Sequence, residues 1–519
     1  MTNKPRPRTA TVFAAAWLLL SLVMASWAFA TPIGAAPDEP AHLIKAASVV
    51  RGEFIGQPSP HGEIVQVPGY VAYTHAQTCY AFASDVSADC IPDVPGNPAE
   101  LVDGTTTAGL YNPAYYVLVG WPSLIAQDSW GIYAMRLVSA ILVALFLAIP
   151  VALISTWRRP IIPMIGLAIA TTPMVLFLGG TVNPNSIEIA ATLAAFVAVF
   201  GVVRYPESVN IAVSSAIVVC AGAIAANMRG LSLLWLAVAI LVPFVLASSS
   251  EILALLRRRS IQVAIGGTFI AAVAAAVWLL TSNSLGAALV EGDTAAAESS
   301  GGIPLPLYGF ILTLLSTLSY ALGIVGIFGW LDTQAPSFVY FTWSVLAGGL
   351  LLLGAVLLKG RALILSALLL ASVLLLPPVL QGAYISGGGI IWQGRYILPL
   401  FVCLMVAVAA LLSDRVELDR RTATVLTYVV FTLWGFAQFL SFATALRRYS
   451  VGLNDTWLDM FSPEWSPPGG LLALLALNML VLIAIVGALI VHLQRNAPPL
   501  PAFDGASPTS LAQAGNAKG

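Results

Sequence analysis

Charge is what this sequence has least of. Only 9% of its 519 residues are Asp, Glu, Lys or Arg, against about 25% in soluble domains, and the net charge is −1. With so few cations and no long basic run, nucleic-acid binding has no electrostatic footprint. Four cysteines, none of them in a metal-knuckle spacing, exclude a zinc module and a multi-disulfide scaffold. The sequence also lacks a Walker phosphate loop, a G-x-S-x-G nucleophile elbow and an H-E-x-x-H helix. These absences exclude the usual soluble nucleotide-binding and hydrolytic sites.

Apolar residues are abundant: 59% of the chain is hydrophobic and the mean hydropathy is +0.89, which defines a multi-pass membrane protein. A spanning helix takes about 20 residues to cross about 30 Å of hydrocarbon. Twelve apolar runs fit that role: 11–30, 130–156, 161–180, 186–203, 211–226, 231–246, 261–281, 338–358, 362–380, 396–412, 423–442 and 471–493. Lys4, Arg6 and Arg8 precede the first run, Arg158 and Arg159 follow the second, Arg204 the fourth, and Arg257 to Arg259 the sixth. Positive residues stay inside, so both termini are expected in the cytoplasm of a cell-membrane protein. Segment 303–330 is also long enough to cross. Counting it as a span would put Lys359, Arg361 and the 414–421 charge cluster outside, so a re-entrant or surface segment is expected there.

The expected organisation is a cytoplasmic stretch 1–10, a membrane domain 11–493, and a Pro/Ser/Ala-rich disordered cytoplasmic tail 494–519. The membrane domain carries long outer loops at 31–129 and 282–337. The triplet 28-AFA-30 fits a signal-cleavage rule, but the apolar run before it is longer than a signal core, and an uncleaved first span is expected. Cys79 and Cys90, both outside, suit a disulfide worth roughly 3 kcal/mol. Cys220 and Cys403 fall within spans as small packing residues.

Polar residues at membrane depth are expensive and therefore informative. They gather on the outer side: Asp38, Glu39, His42 and Lys45 after the first span; Asn183, Asn185 and Glu188 between the third and fourth; Arg229 between the fifth and sixth; Asp332 before the eighth; Gln393 and Arg395 at the tenth. Some have plain structural uses. Asp38 before Glu39-Pro40 reads as a helix cap, with Glu39 facing the helix dipole. In 183-NPNSIE-188, Asn185 or Ser186 reads as a cap, and Arg229 and Arg395 can snorkel to headgroups. A helix from Pro40 would bring Asp38, His42 and Lys45 onto one face, an acid beside two bases. Trp121, Trp130, Trp330 and Trp392 read as interfacial anchors.

The set 37-PDEPAH-42, 111-YNPAYY-116, 183-NPNSIE-188, 328-FGWLDT-333 and 392-WQGRYILPL-400 resembles the bacterial membrane family called domain of unknown function 2142, placed among relatives of the GT-C glycosyltransferases. The resemblance runs from about Ala10 to Leu493. It implies an all-α, GT-C-like helical bundle of about twelve transmembrane helices with two long outer loops. The activity it implies is sugar transfer from a polyprenyl-phosphate donor to a cell-envelope glycan or protein on the outer face. Asp38 or Glu39 would then hold the position of the family's loop acid. Asp38 is expected as base and Glu39 as an orienting or metal-binding partner, with Lys45, Arg229 and Arg395 on the donor phosphate. A divalent cation is left open as cofactor. The contrasting readings are a flippase or exporter of lipid-linked glycans, and a scaffold for envelope assembly.

Overall fold

A computed structural model describes residues 9–282 and 301–495. The sequence expectations for Lys4, Arg6 and Arg8, for most of the tail and for 283–300 lie outside those residues. The chain is an all-α, multi-pass membrane protein, and each of the twelve apolar runs is helical. The helices used below are α1 (Thr9–Ala30), α2 (Glu39–Val49), α3 (Ala114–Gly120), α4 (Trp130–Thr156), α5 (Ile161–Ala170), α6 (Pro173–Gly179), α7 (Pro184–Arg204), α8 (Ile211–Ala226) and α9 (Ser232–Leu241). They continue as α10 (Arg259–Thr281), α11 (Leu305–Leu315), α12 (Thr317–Val325), α13 (Ser337–Leu357), α14 (Arg361–Gly388), α15 (Leu398–Ser413), α16 (Arg420–Val451) and α17 (Leu471–Arg495).

The count of twelve spans is corrected by length. Among the described residues nine helices can cross by length and composition, or up to eleven if each bent pair is one span. The run 161–180 is broken into α5 and α6 at a 64° bend, and 211–226 and 231–246 are shorter apolar helices. Two helices also outrun their apolar stretches: α14 continues to Gly388 and α16 to Val451. At 1.5 Å per residue α16 is about 48 Å long, well beyond the hydrocarbon thickness.

The α5–α6 break shows how a bent span keeps its backbone satisfied in lipid. Pro173 has no N–H for the Ile169 carbonyl, and at the bend the Thr171 carbonyl accepts from Trp434 Nε1 at 3.0 Å and Gln438 Nε2 at 2.7 Å. Trp343 Nε1 donates to the Ile169 carbonyl at 2.9 Å, and Thr172 Oγ1 donates to the Ile324 carbonyl. Irregular backbone at membrane depth persists only when such partners exist. Replacing Gln438 with Leu leaves the Trp434 bond in place. It should therefore lower stability by only about 1 kcal/mol, read by thermal unfolding in detergent.

The two ends of the bundle differ chemically. At one, Arg159 pairs with Glu417 at 2.6 Å and Arg204 with Asp414 at 2.8 Å, joining turns that the positive residues placed on one side. Because Arg204 at the end of α7 and Asp414 at the end of α15 touch, the chain between them, α15 included, crosses an even number of times. At the other end the Trp278 indole donates to the Leu110 carbonyl and the Phe82 amide donates to Asp332. Chain therefore leaves α10 and enters α13 at this same end, and α11 and α12, bent by 59°, do not carry it across. Gly323 packs against Gly394, whose Cβ would strike the Tyr320 carbonyl, so α12 can lie on the stretch that carries Arg395.

The long segment after α1 folds over this second end. It contains α2, α3 and an antiparallel sheet of β1 (Gln57–Ser59), β2 (Gly62–Pro68) and β3 (Leu101–Thr106), in which Val65 faces Gly104. Cys79 and Cys90 are bonded, with their Cα atoms 6.1 Å apart. Cys403 is buried as packing, whereas Cys220 lies exposed on α8. A hairpin of β4 (Ile327–Phe328) and β5 (Thr333–Gln334) closes the same end. Trp121 and Trp130 are exposed there, Trp330 is half-buried with its Nε1 on the Gly34 carbonyl, and Trp392 is buried beside a cavity.

Candidate functional site

Asp38 sits at the N-cap of α2 with φ 62°, a left-handed conformation, and makes no capping hydrogen bond. Left-handed backbone is costly for a residue with a Cβ, least so for Asn and Asp. The expectation that Asp38 caps the helix is thus overturned. Its backbone turn points the carboxylate away from the α2 amides and toward Arg395 Nη2, 2.5 Å away. Arg395 is 2% exposed, whereas the Asp38 side chain keeps 47% of its accessible surface, so the pair runs from the interior to the surface. Burial raises the Asp38 pKa, but Arg395, His42 and Arg229 outweigh it and hold the carboxyl below its ordinary 3.8.

Glu39, its neighbour, faces the other way. Its two oxygens take Arg136 Nε at 2.8 Å and Nη2 at 2.5 Å, and Oε1 also accepts from the Val182 amide. Arg136 spends its remaining donors on the carbonyls of Ala28, Thr31 and Pro32. Five guanidinium N–H groups meet five acceptors, and both side chains are fully buried. Glu39 is consequently a structural clamp that fixes the end of α1 to the start of α2. This corrects its expected role as orienting or metal-binding partner, since three of its roughly four lone-pair positions are taken and the side chain is fully buried.

His42 Nδ1 lies 2.9 Å from the Tyr116 hydroxyl in the interior. Burial drives its pKa down to about 3; Asp38 pulls upward, while Arg229 and Arg395 push it lower. It is therefore a neutral imidazole. Lys45 is corrected as a phosphate ligand: Nζ donates to the Phe54 carbonyl at 2.5 Å and to that of Gly109, under the sheet. Burial lowers its pKa to about 8, opposed by Glu63 and Glu53. The α2 face thus carries Asp38 and His42 toward Arg395 and Arg229 but turns Lys45 away from them.

In α7 the cap is Asn183 rather than Asn185 or Ser186. Its side chain accepts from the Asn185 amide because Pro184 occupies the first helical position. Asn183 Nδ2 reaches back to the Pro37 carbonyl, which ties this turn to the one carrying Asp38. Asn185 Nδ2 and Ser232 Oγ both donate to Glu188, orienting that carboxylate toward a cavity. Asp332 does not join this group. It pairs with Arg448 and accepts from the Phe82 amide.

The cavity measures about 440 Å³ and has two kinds of wall. Glu188, Asn227, Arg229, Tyr111 and Tyr396 line one part, and Leu233, Ala275, Trp278 and Leu279 another. Arg229 lies 4.6 Å from the Tyr396 ring centroid and Arg395 5.3 Å from it, so one tyrosine carries two guanidinium groups. Burial opposes the Arg229 charge, yet Tyr111, Tyr396, Glu188 and Asp38 outweigh it and raise its pKa. Among the described residues, Nε and Nη1 of Arg395, Nε1 of Trp392 and Oε1 of Gln393 are buried without a hydrogen-bond partner. Four orphaned polar atoms in three neighbouring residues are unusual for a native interior. No cluster of three or more His, Cys, Asp or Glu is arranged for a metal ion among the described residues.

The site thus belongs to a helical membrane protein that gathers its buried ionisable groups at one end of the bundle, beside a mixed polar and apolar cavity. Residues 20–405 match the family described as "Predicted membrane protein (DUF2142)", and the chain belongs to that family. No curated protein matches it. Among solved structures, ArnT from Cupriavidus metallidurans, crystallised bound to undecaprenyl phosphate, is similar with 11% identity and a TM-score of 0.41. The match covers 94% of this chain and 76% of that one, and at this distance it carries neither fold nor activity across.

Three residues that shape this end escaped the sequence reading. Arg136 was visible as a lone charge in an apolar run, which is expensive unless paired. Arg448 lies beyond the predicted end of its span, and Tyr116, which holds His42, closes the motif 111-YNPAYY-116 but was not singled out as a site residue.

Proposed function

We propose that this protein is a membrane glycosyltransferase that moves a sugar from a polyprenyl-phosphate donor to a cell-envelope acceptor. The observation that carries the reading is Arg229 in the wall of a cavity with apolar sides, sharing the Tyr396 ring with Arg395, a buried guanidinium with two unpartnered nitrogens. Guanidinium groups suit phosphate oxygens, and the wall of Ala275, Trp278 and Leu279 suits an isoprenoid chain. Most of α10, which supplies that wall, is unburied and faces the bilayer.

In the transfer, the acceptor hydroxyl oxygen attacks the anomeric carbon while the bond from that carbon to the phosphate oxygen breaks. The bonding electrons leave with the phosphate, whose added charge Arg395 and Arg229 neutralise. Asp38 takes the hydroxyl proton. Donor phosphate competes with Asp38 for Arg395, and a carboxylate that loses its cation becomes a stronger base.

The test places purified protein in vesicles with radiolabelled polyprenyl-phosphate sugars and an envelope extract. Label in a new glycosidic bond is expected. Label that crosses the bilayer with no new bond would identify an exporter instead. Ala275→Trp, which fills the apolar wall, should raise the KM for donor about tenfold or more, as expected for loss of roughly 1.4 kcal/mol of binding.

The pH dependence follows from the two titrating groups. Asp38 stays ionised and His42 neutral in the folded chain, so the transfer rate should be level from about pH 5 to 8, with no step near 6.5. Stability behaves differently. His42 binds a proton below about pH 6.5 when unfolded but only near 3 when folded, so stability should fall as pH drops through that window.

A further inference from the structure

Three non-glycine residues in the described chain have positive φ: Asp38, Phe82 and Leu331. The first belongs to the site above. The other two sit together on the surface, where Phe82 is 74% exposed and Leu331 44% exposed, and the Trp330 ring lies 5.6 Å from that of Phe82. Large side chains held in left-handed backbone and turned outward are strained and poorly hydrated at once. Such strain persists where the surroundings over-determine it.

The surroundings do so. Arg448, fully buried, donates to the carbonyls of Tyr80, Ala83 and Val86, to Thr333 Oγ1 and to Asp332. Asp332 in turn accepts from the Phe82 amide, and the Cys79–Cys90 bond closes the loop. Trp330 Nε1 donates to the Gly34 carbonyl, four residues before Asp38. The patch is therefore rigid and joined directly to the turn that holds the proposed base.

Its occupant is argued from position and charge. Arg448 lies about 42 Å along α16 from Arg420, beyond about 30 Å of hydrocarbon, so the patch is not part of the lipid-facing surface. Exposed Asp85, Asp89, Asp455 and Asp459 lie on its loops, which disfavours anionic headgroups and supplies acceptors for hydroxyl groups. Apolar ring faces beside carboxylates match the apolar C–H faces and hydroxyl edges of sugar rings.

We propose that Phe82, Trp330 and Leu331 form a binding platform for a neutral carbohydrate chain, which they present to the site as the acceptor. The acceptor role rests on the glycosyl-transfer reading. The experiment titrates neutral hexasaccharides of glucose, mannose and galactose against the full chain in detergent, following tryptophan fluorescence. At least one hexasaccharide should saturate the native protein. Phe82→Gly should bind it at least tenfold more weakly while its thermal midpoint stays level or rises, because glycine adopts the left-handed turn freely. Asp38→Asn should keep that binding.

The platform is overturned if no hexasaccharide saturates the native chain, or if Phe82→Gly binds as tightly. It is also overturned if Phe82→Gly loses only flotation with vesicles, which would make the patch a membrane anchor. Saturable binding without any transfer by the native chain would sink the transferase reading and leave the platform standing.

Discussion

Asp38→Asn should lower the rate of sugar transfer about 10²- to 10⁴-fold, the usual contribution of a general base, while the protein stays folded. The substitution isolates charge unusually well. Asparagine tolerates the left-handed conformation at least as well as aspartate does, and no cap is lost because the Asp38 side chain caps nothing. It keeps an oxygen for Arg395 but cannot accept the hydroxyl proton. Removing the carboxylate also frees Arg395 for the phosphate, so the KM for donor should hold or fall. A normal thermal midpoint with kcat reduced and KM unraised is the expected pattern. Unreduced kcat in the folded variant would remove Asp38 from the chemistry, and a raised KM alone would make it a binding residue.

How much of this was legible in the sequence depends on the kind of signal. Apolar run length located all nine helices long and apolar enough to cross among the described residues, because burying about 20 residues in hydrocarbon leaves few alternatives, but it also counted a broken run and two shorter ones as spans. Positive residues brought the turns at Arg159, Arg204 and 414–421 together, and the structure joins them by ion pairs. Pro173 is plain in the sequence, but periodicity could not reveal that a bend there would be held by Trp434 and Gln438, more than 260 residues from the Thr171 carbonyl they satisfy. The crowding of charge in 37-PDEPAH-42 was visible, but its division was not. Asp38 and Glu39 are adjacent and chemically alike, and only Arg136 on α4 and Arg395 before α15 separate them. Lys45 was misplaced for a related reason: helical spacing put it on the right face, but the carbonyls of Phe54 and Gly109, from distant loops, captured it.

That division gives Glu39 and Arg136 an effect on folding rather than chemistry. Glu39→Gln leaves Arg136 buried with its charge uncompensated, and Arg136→Met leaves Glu39 equally exposed to the low dielectric. Either change should cost about 3–5 kcal/mol, as breaking a buried pair does, a large part of a typical net stability of 5–15 kcal/mol. Arg136→Lys should rescue little, because one ammonium has three donors where five acceptors wait. The double variant Glu39→Gln with Arg136→Met should be less damaging than the two single costs added together, since no charge stays unpaired. It should still fall short of the native protein, because the carbonyls of Ala28, Thr31 and Pro32 lose their donors. A double-mutant cycle on thermal unfolding in detergent measures this coupling directly. Additive single costs would mean that the two side chains act separately, and that the α1–α2 junction is held by packing rather than by the clamp.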